Sequence, residues 1–287
     1  MSAADREAPL CLPRRQLTRL PQPALPQGTV DTHFHVFRAG APLNTPRSYT
    51  PDIATIADWI EFSGSLGIAR GVLVQPSVYG FDNRVLLEAL AAYPDRLRGI
   101  VVIDPDTTAT EMERLDRLGV RINTRNKGGL PLAAAKTLAE SIAPLGWSLQ
   151  LQINPEQLPD IAATLSGIRL SLVIDHLGFI PLARETRSLH VDALKRLMDR
   201  AEAYVKVTAP YRLTKDMNDQ GFAEVGRALA ASHAERLLWG SDWPHTELWD
   251  GMPDDADLIE TIRAAIDDPT IAEKIFVRNA EALFFGR

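Results

Sequence analysis

Short β-branched runs alternate along the chain with longer segments whose apolar residues recur at three- and four-residue intervals, the signatures of strand and of amphipathic helix. Eight runs read as strands: TVDTHFHVF near residue 30, GVLVQP from Gly71, RGIVVI from Arg98, GVRIN from Gly119, SLQLQI from Ser148, LSLVIDH from Leu170, YVKVT from Tyr204 and RLLWGSDW from Arg236. Segments such as TIADWIEFSGSLG, PLAAAKTLAESIAPLG and FAEVGRALAASH separate them, and several end in Gly, a common helix C-terminus. Strands each followed by a helix predict an α/β fold, a (β/α)8 TIM barrel forming a single domain over residues 28–287. A doubly wound open sheet is the competing arrangement. It would carry a glycine-rich phosphate turn after an early strand, and no GxGxxG or Walker-type loop occurs. Residues 1–27 are rich in Pro and lack periodicity, and they read as a flexible N-terminal arm.

Composition narrows the picture. A chain of 287 residues with 45% apolar and 24% charged residues is that of a globular protein with a sizeable core. Its net charge of −6 offers no basic footprint, so nucleic acid is not an expected partner. No apolar run approaches the roughly 18 residues that span a bilayer, and no apolar segment follows Arg14-Arg15 as an export signal would require, so no membrane partner is expected. The lone Cys11 rules out an internal disulfide and agrees with a reducing compartment. A cytoplasmic monomer or small homo-oligomer is the expectation.

In a barrel of this kind, chemistry sits where strands hand over to the following loops. Strand 1 ends in Asp31-Thr32-His33-Phe34-His35, and alternation puts His33 and His35 on the same side. Strand 6 ends in Asp175-His176, and strand 8 in Gly240-Ser241-Asp242-Trp243-Pro244-His245. Either histidine of the HxH pair, taken alone, fits a hydrogen-bonded core residue as well as a site. The conjunction of three strand ends points to a shared site of His33, His35, His176 and Asp242. His190 and His233 fall in helical segments and read as solvated, whereas His245 fits a supporting hydrogen bond to Asp242 or its loop. Trp239 reads as barrel packing and Trp243 as a pocket wall.

The segments VDTHFHVF, VIDHLG and LLWGSDWPH, set on eight βα units, resemble the amidohydrolase superfamily. More narrowly, RSYTP, VLVQPSVYGFDNR, LRGIVVID, GVRIN, VKVTAPYRL and WGSDWPHTELWDGMPDD resemble its 2-pyrone-4,6-dicarboxylate lactonase group, from about residue 28 to the C-terminus. The resemblance implies a carboxylic ester hydrolase, active in aromatic-compound catabolism. It would open the ring ester of a small carboxylated or sulfonated lactone such as a pyrone dicarboxylate or muconolactone. By the same resemblance Asp242 is the base that deprotonates water, and His33, His35 and His176 polarise the carbonyl.

Cations must then gather locally in an acidic protein. Arg121 ends strand 4, Arg125 and Lys127 follow in TRNKGG, and Arg212 follows strand 7 in PYRL. The group binds its anion with cations matching Arg121, a position six residues later and Arg212. That middle position is Lys127 here, so the clamp is either an ammonium or has shifted to Arg125. A solvated loop face is the plain alternative for all four. Tyr49 matches a substrate-contacting tyrosine of the group, and Gln75 and Ser77 end strand 2 within reach of the rim.

The superfamily's two-metal site takes a carboxylated Lys or a Glu from strand 4 and a His from strand 5. Arg121, Asn123, Gln150 and Gln152 stand there instead. The lactonase group shares these losses and works without a divalent metal, so no metal or cofactor is implied. A single Zn held by His33, His35, His176 and Asp242 is the alternative. Three rival activities remain open: a lactone isomerase that moves the acyl group without water, a metal-dependent decarboxylase of the same superfamily, and an inactive barrel serving as sensor or scaffold. The joint presence of Asp242 and all three histidines disfavours the last.

Overall fold

The protein is described by a computed structural model covering residues 8–286 apart from 114, 116, 117 and 218. Eight parallel strands follow one another in order around the sheet: β1 (Val30–Phe34), β2 (Arg70–Val74), β3 (Leu97–Val101), β4 (Leu118–Asn123), β5 (Leu149–Gln152), β6 (Leu172–Ile174), β7 (Ala203–Thr208) and β8 (Leu237–Gly240). Every strand expected from the β-branched runs is present. The edges of β1 and β8 meet through Thr32 Oγ1 donating to Trp239 O at 2.6 Å, and through Asp242 N–H to His33 O and His35 N–H to Trp243 O, both 2.8 Å. The result is a (β/α)8 barrel.

The outer ring is α1 (Ile56–Leu66), α2 (Arg84–Ala92), α3 (Ala109–Glu113), α4 (Ala135–Ile142), α5 (Leu158–Thr164), α6 (Arg184–Arg200), α7 (Gln220–His233) and α8 (Asp255–Ile266). Helix α1 starts at a Thr55/Asp58 capping box and stops at Gly67, whose φ of 73° suits a residue without Cβ. Helices cover the outer face, so β2 and β6 read as apolar runs, whereas β1, β5 and β7 are interrupted by polar side chains such as His33, Gln150 and Lys206 that are buried as well. The barrel floor is apolar: Val30, Val173 and Leu238 on one side and Val72, Val74 and Ile100 on the other pack against Phe284 and Phe285.

Gly240 fixes how closely β8 approaches the first strand. A Cβ there would stand 2.8 Å from both His33 Cβ and His33 N, inside van der Waals contact. Gly240→Ala should therefore cost about 1–3 kcal/mol by overpacking and shift His33. A melting temperature equal to that of the wild type would contradict this packing.

Residues 8–27 lie against the barrel, where the sequence suggests a flexible arm. Leu10 pairs with Thr50, Cys11 N–H donates to Thr50 O at 2.8 Å, and Leu12 N–H donates to Leu248 O at 2.9 Å. Arg14 pairs with Asp58 at 2.7 Å, and Arg19 with both Asp257 and Glu260. These are single bonds spread along irregular chain, which leave no period for sequence reading to detect. Residues 1–7 of the expected arm lie outside the described residues.

Candidate active site

The C-terminal rim carries unusual backbone. His176, Leu177, Phe179, Ala209, Asp242, His245 and Glu247 all have φ between 49° and 66°, a region costly for side-chain-bearing residues. They follow β6, β7 and β8, so the strain is concentrated where those strands end.

Beneath this rim the strand ends bring the predicted quartet together. His33 Nε2 lies 3.3 Å from His35 Nε2 and 3.6 Å from Asp242 Oδ1, and His176 Nε2 lies 3.8 Å from the same oxygen. All four side chains are buried. Asp242 is held by one oxygen only. Its Oδ2 accepts from Tyr211 OH and, at 2.6 Å, from Arg212 Nε, whereas Oδ1 has no hydrogen-bond partner among the described residues. Burial pushes this carboxyl up, but Arg212 and the imidazoles outweigh it and hold it well below the usual carboxylate range. Burial lowers His35 to about 3 and His176 to about 4, and lowers His33 well below its ordinary value with help from the Lys206 ammonium.

Hydrogen bonds constrain the tautomers of the neutral rings. Val74 O is only an acceptor, so His35 Nδ1, 2.7 Å away, carries the proton and His35 Nε2 presents a lone pair. The 3.3 Å contact is a hydrogen bond when His33 carries its proton on Nε2 and Nδ1 accepts from Lys206 Nζ at 3.1 Å; Asp175 Oδ1, 3.3 Å from the same Nδ1, would be met by the Nδ1–H tautomer. His176 Nδ1 lies 2.7 Å from the Thr208 hydroxyl, which can serve either tautomer.

Lys206 was not anticipated. Fully buried in the barrel interior, it lies 2.8 Å from Gln150 Oε1 and 3.2 Å from Asp175 Oδ1. Burial lowers it to about 8, with Asp175 opposing. Arg121, also buried, reaches Gln152 Oε1, Asp175 Oδ2 at 3.4 Å and Gln75 O at 3.3 Å. Asp175 is thus the counter-ion of two buried cations, and they hold it ionised against its own burial. Below the site Asp31 accepts from Ser241 Oγ and N and from Trp59 Nε1, tying β1 to the chain after β8; burial raises it to about 6.

A cavity of about 300 Å³ is walled by Arg125, Tyr211, Arg212 and Glu247 among others, and two of these walls, Tyr211 and Arg212, are the groups that hold Asp242. Of the expected anion-binding residues, Arg125 and Arg212 therefore face it. Arg125 stacks on Phe179, 3.7 Å from the ring centroid, and gives one nitrogen to Asn154. Lys127 is exposed, tied by its backbone N–H to Ser48 Oγ at 2.9 Å. Tyr49 is buried with its hydroxyl paired to Thr246. Gln75 donates to Asp82 O at 2.8 Å and Gly80 O at 3.3 Å, and the Ser77 carbonyl accepts from Gly80 N–H, so both shape the loop after β2. The ring of His245 pairs with Asp255 at 3.0 Å rather than with Asp242. Trp239 packs on Phe276 as expected; Trp243, expected as a pocket wall, instead stacks on Phe62 under Arg14.

The donor atoms of His33, His35 and Asp242 lie within 4.8 Å of one another, as do those of His33, Asp175 and His176. Four ligands about 2.0–2.2 Å from a tetrahedral zinc would stand roughly 3.3–3.6 Å apart, close to the observed 3.3, 3.6 and 3.8 Å. His33, His35 and Asp242 therefore fit as three ligands of one such ion, and His176 Nε2, 3.8 Å from Asp242 Oδ1, stands outside that trio.

Buried imidazoles and an ionised carboxylate at the C-terminal rim of a (β/α)8 barrel stand where enzymes of this fold carry their active sites. Residues 30–286 match the amidohydrolase family model, and the chain belongs to that family. It is 32% identical to a 4-sulfomuconolactone hydrolase of Rhizobium radiobacter, over 91% of each chain. It is 30% identical to a 2-pyrone-4,6-dicarboxylate hydrolase of Comamonas testosteroni, over 92% of each. A D-galactarolactone isomerase of Agrobacterium fabrum is also 30% identical, with 92% of this chain and 93% of that one covered.

Proposed function

We propose that the chain hydrolyses the ring ester of a small anionic lactone, with Asp242 activating water. The observation that carries this reading is the one-sided grip on Asp242: Tyr211 and Arg212 hold Oδ2 and leave an ionised Oδ1 facing the imidazoles. Water bound at Oδ1 gives up a proton to it as its oxygen attacks the carbonyl carbon. The Nε2–H tautomer of His176 donates to the carbonyl oxygen as it becomes an oxyanion, and His33 Nε2–H is shared between that oxygen and His35 Nε2. His35 Nε2 carries a lone pair and so serves by orienting His33. Collapse breaks the ring C–O bond, and Asp242 returns the proton to the leaving alkoxide. Arg125 is the guanidinium best placed to meet the substrate's anionic group. The names of the three relatives, all acting on lactones or pyrones, support the substrate class.

Reaction in ¹⁸O water tests this directly. Label in the product acid is the expected result; an isomeric lactone without label would assign an isomerase instead.

A second reading is favoured by the approach of His33 Nε2 and His176 Nε2 to the unpartnered Oδ1, at 3.6 and 3.8 Å, with His35 Nε2 3.3 Å from His33 Nε2. His33, His35 and Asp242 would hold one zinc, which when bound would polarise the carbonyl and acidify water. Lys206 Nζ at His33 Nδ1 favours a proton on Nε2 and the metal-free reading, whereas Asp175 Oδ1, 3.3 Å from the same nitrogen, favours Nδ1–H, which would turn the Nε2 lone pair to an ion. Metal analysis of the purified protein, with activity measured before and after chelation, separates the two.

The titrations set a pH profile. His35 at about 3 and His176 at about 4 stay neutral, and Asp242, held below the carboxylate range, stays ionised, until the pH falls below about 5. Lys206, at about 8, loses its proton on the alkaline side. The ratio kcat/KM should fall below about pH 5 as the imidazoles take up protons, carry a step near 6 where the buried Asp31 titrates, and fall again above about 8. Ring NMR signals of His35 or His176 that titrate near the ordinary histidine value of about 6.5 would contradict these neutral imidazoles.

A further inference from the structure

We infer that Glu247 is a built-in occupant of one of two anion positions in the cleft, so that the protein selects lactones bearing a single anionic group. This rests on the lactone reading above and narrows it.

Two guanidiniums wall the cleft, and they are differently engaged. Arg212 spends all its nitrogens on the protein: Nε on Asp242 at 2.6 Å, NH2 on Thr246 O and Oγ1 at 3.2 and 3.4 Å, and NH1 toward Glu247 Oε2 at 3.4 Å. Arg125 gives only NH1 to Asn154 and lays its plane on Phe179, leaving an edge for a ligand carboxylate. Glu247 is turned inward although its side chain is 25% exposed and could reach water. Its Oε1 accepts from Asn126 Nδ2 at 2.6 Å, and Asn126 Oδ1 in turn accepts from Gln152 and Asn123.

The backbone keeps it there. Glu247 has φ 62°, its N–H donates to Cys11 Sγ at 3.3 Å, and Leu12 N–H holds the next carbonyl, Leu248 O, at 2.9 Å. A substrate carboxylate approaching Arg212 NH1 would meet this carboxylate face to face, and like charges so placed are strongly disfavoured. A substrate with one anionic group can use Arg125 and avoid the clash.

The test compares 2-pyrone-6-carboxylate with 2-pyrone-4,6-dicarboxylate, by kcat/KM and by calorimetric binding, in wild type, Glu247→Gln and Glu247→Ala. The wild type should favour the monoanion by about tenfold or more, and both variants should shift that ratio toward the dianion by about tenfold. A wild-type preference for the dianion, or a ratio unmoved in both variants, overturns the inference. Binding selectivity that follows Glu247 without any ring opening would instead uphold the inference and sink the hydrolase reading.

Discussion

Asp242→Asn should lower kcat by about a hundredfold to ten-thousandfold, the usual loss when a general base is removed. The substitution keeps the side chain's volume, and its amide oxygen can still accept from Tyr211 and Arg212, so the site should keep its shape. What disappears is the unpartnered oxygen between His33 and His176. Steady-state turnover of a lactone carboxylate, with melting temperature as the control for folding, measures it. Turnover within a few-fold of wild type would remove Asp242 from the chemistry.

The second large effect is on stability. Lys206→Met leaves Asp175 buried with one cation fewer and Gln150 Oε1 without its donor, and breaking a buried pair in this way costs about 3–5 kcal/mol. The double variant Lys206→Met with Asp175→Asn removes both charges and should recover part of that loss. Chemical denaturation of the wild type, both singles and the double gives the coupling. Additive effects would mean that the two groups do not act as a pair.

How far the sequence reaches is clear from individual residues. Parallel strands buried on both faces announce themselves as β-branched runs, so the barrel is legible, and strand-end position points to His33, His35, His176 and Asp242, which the fold brings close together. Lys206 escaped because YVKVT alternates like a half-exposed strand; only closure of the ring turns that lysine inward. The available signal was a cation in the middle of a strand that a barrel must bury completely. Arg121 was found as a cation, yet its partners Asp175 and Gln152 sit 54 and 31 residues away and are brought near only by β5 and β6. Glu247, Asn126 and Tyr211 belong to loops, where no periodicity ties a side chain to a direction. The same holds for Cys11 and Leu12, whose bonds to the Glu247 loop depend on an irregular segment crossing the rim.

The most direct measurement is a crystal structure of the Asp242→Asn variant with an intact lactone monocarboxylate bound. The ring carbonyl oxygen should lie within hydrogen-bond distance of His33 Nε2 and His176 Nε2, with the carboxylate on Arg125. A lactone held elsewhere in the cleft, its carbonyl out of reach of both imidazoles, would contradict the account.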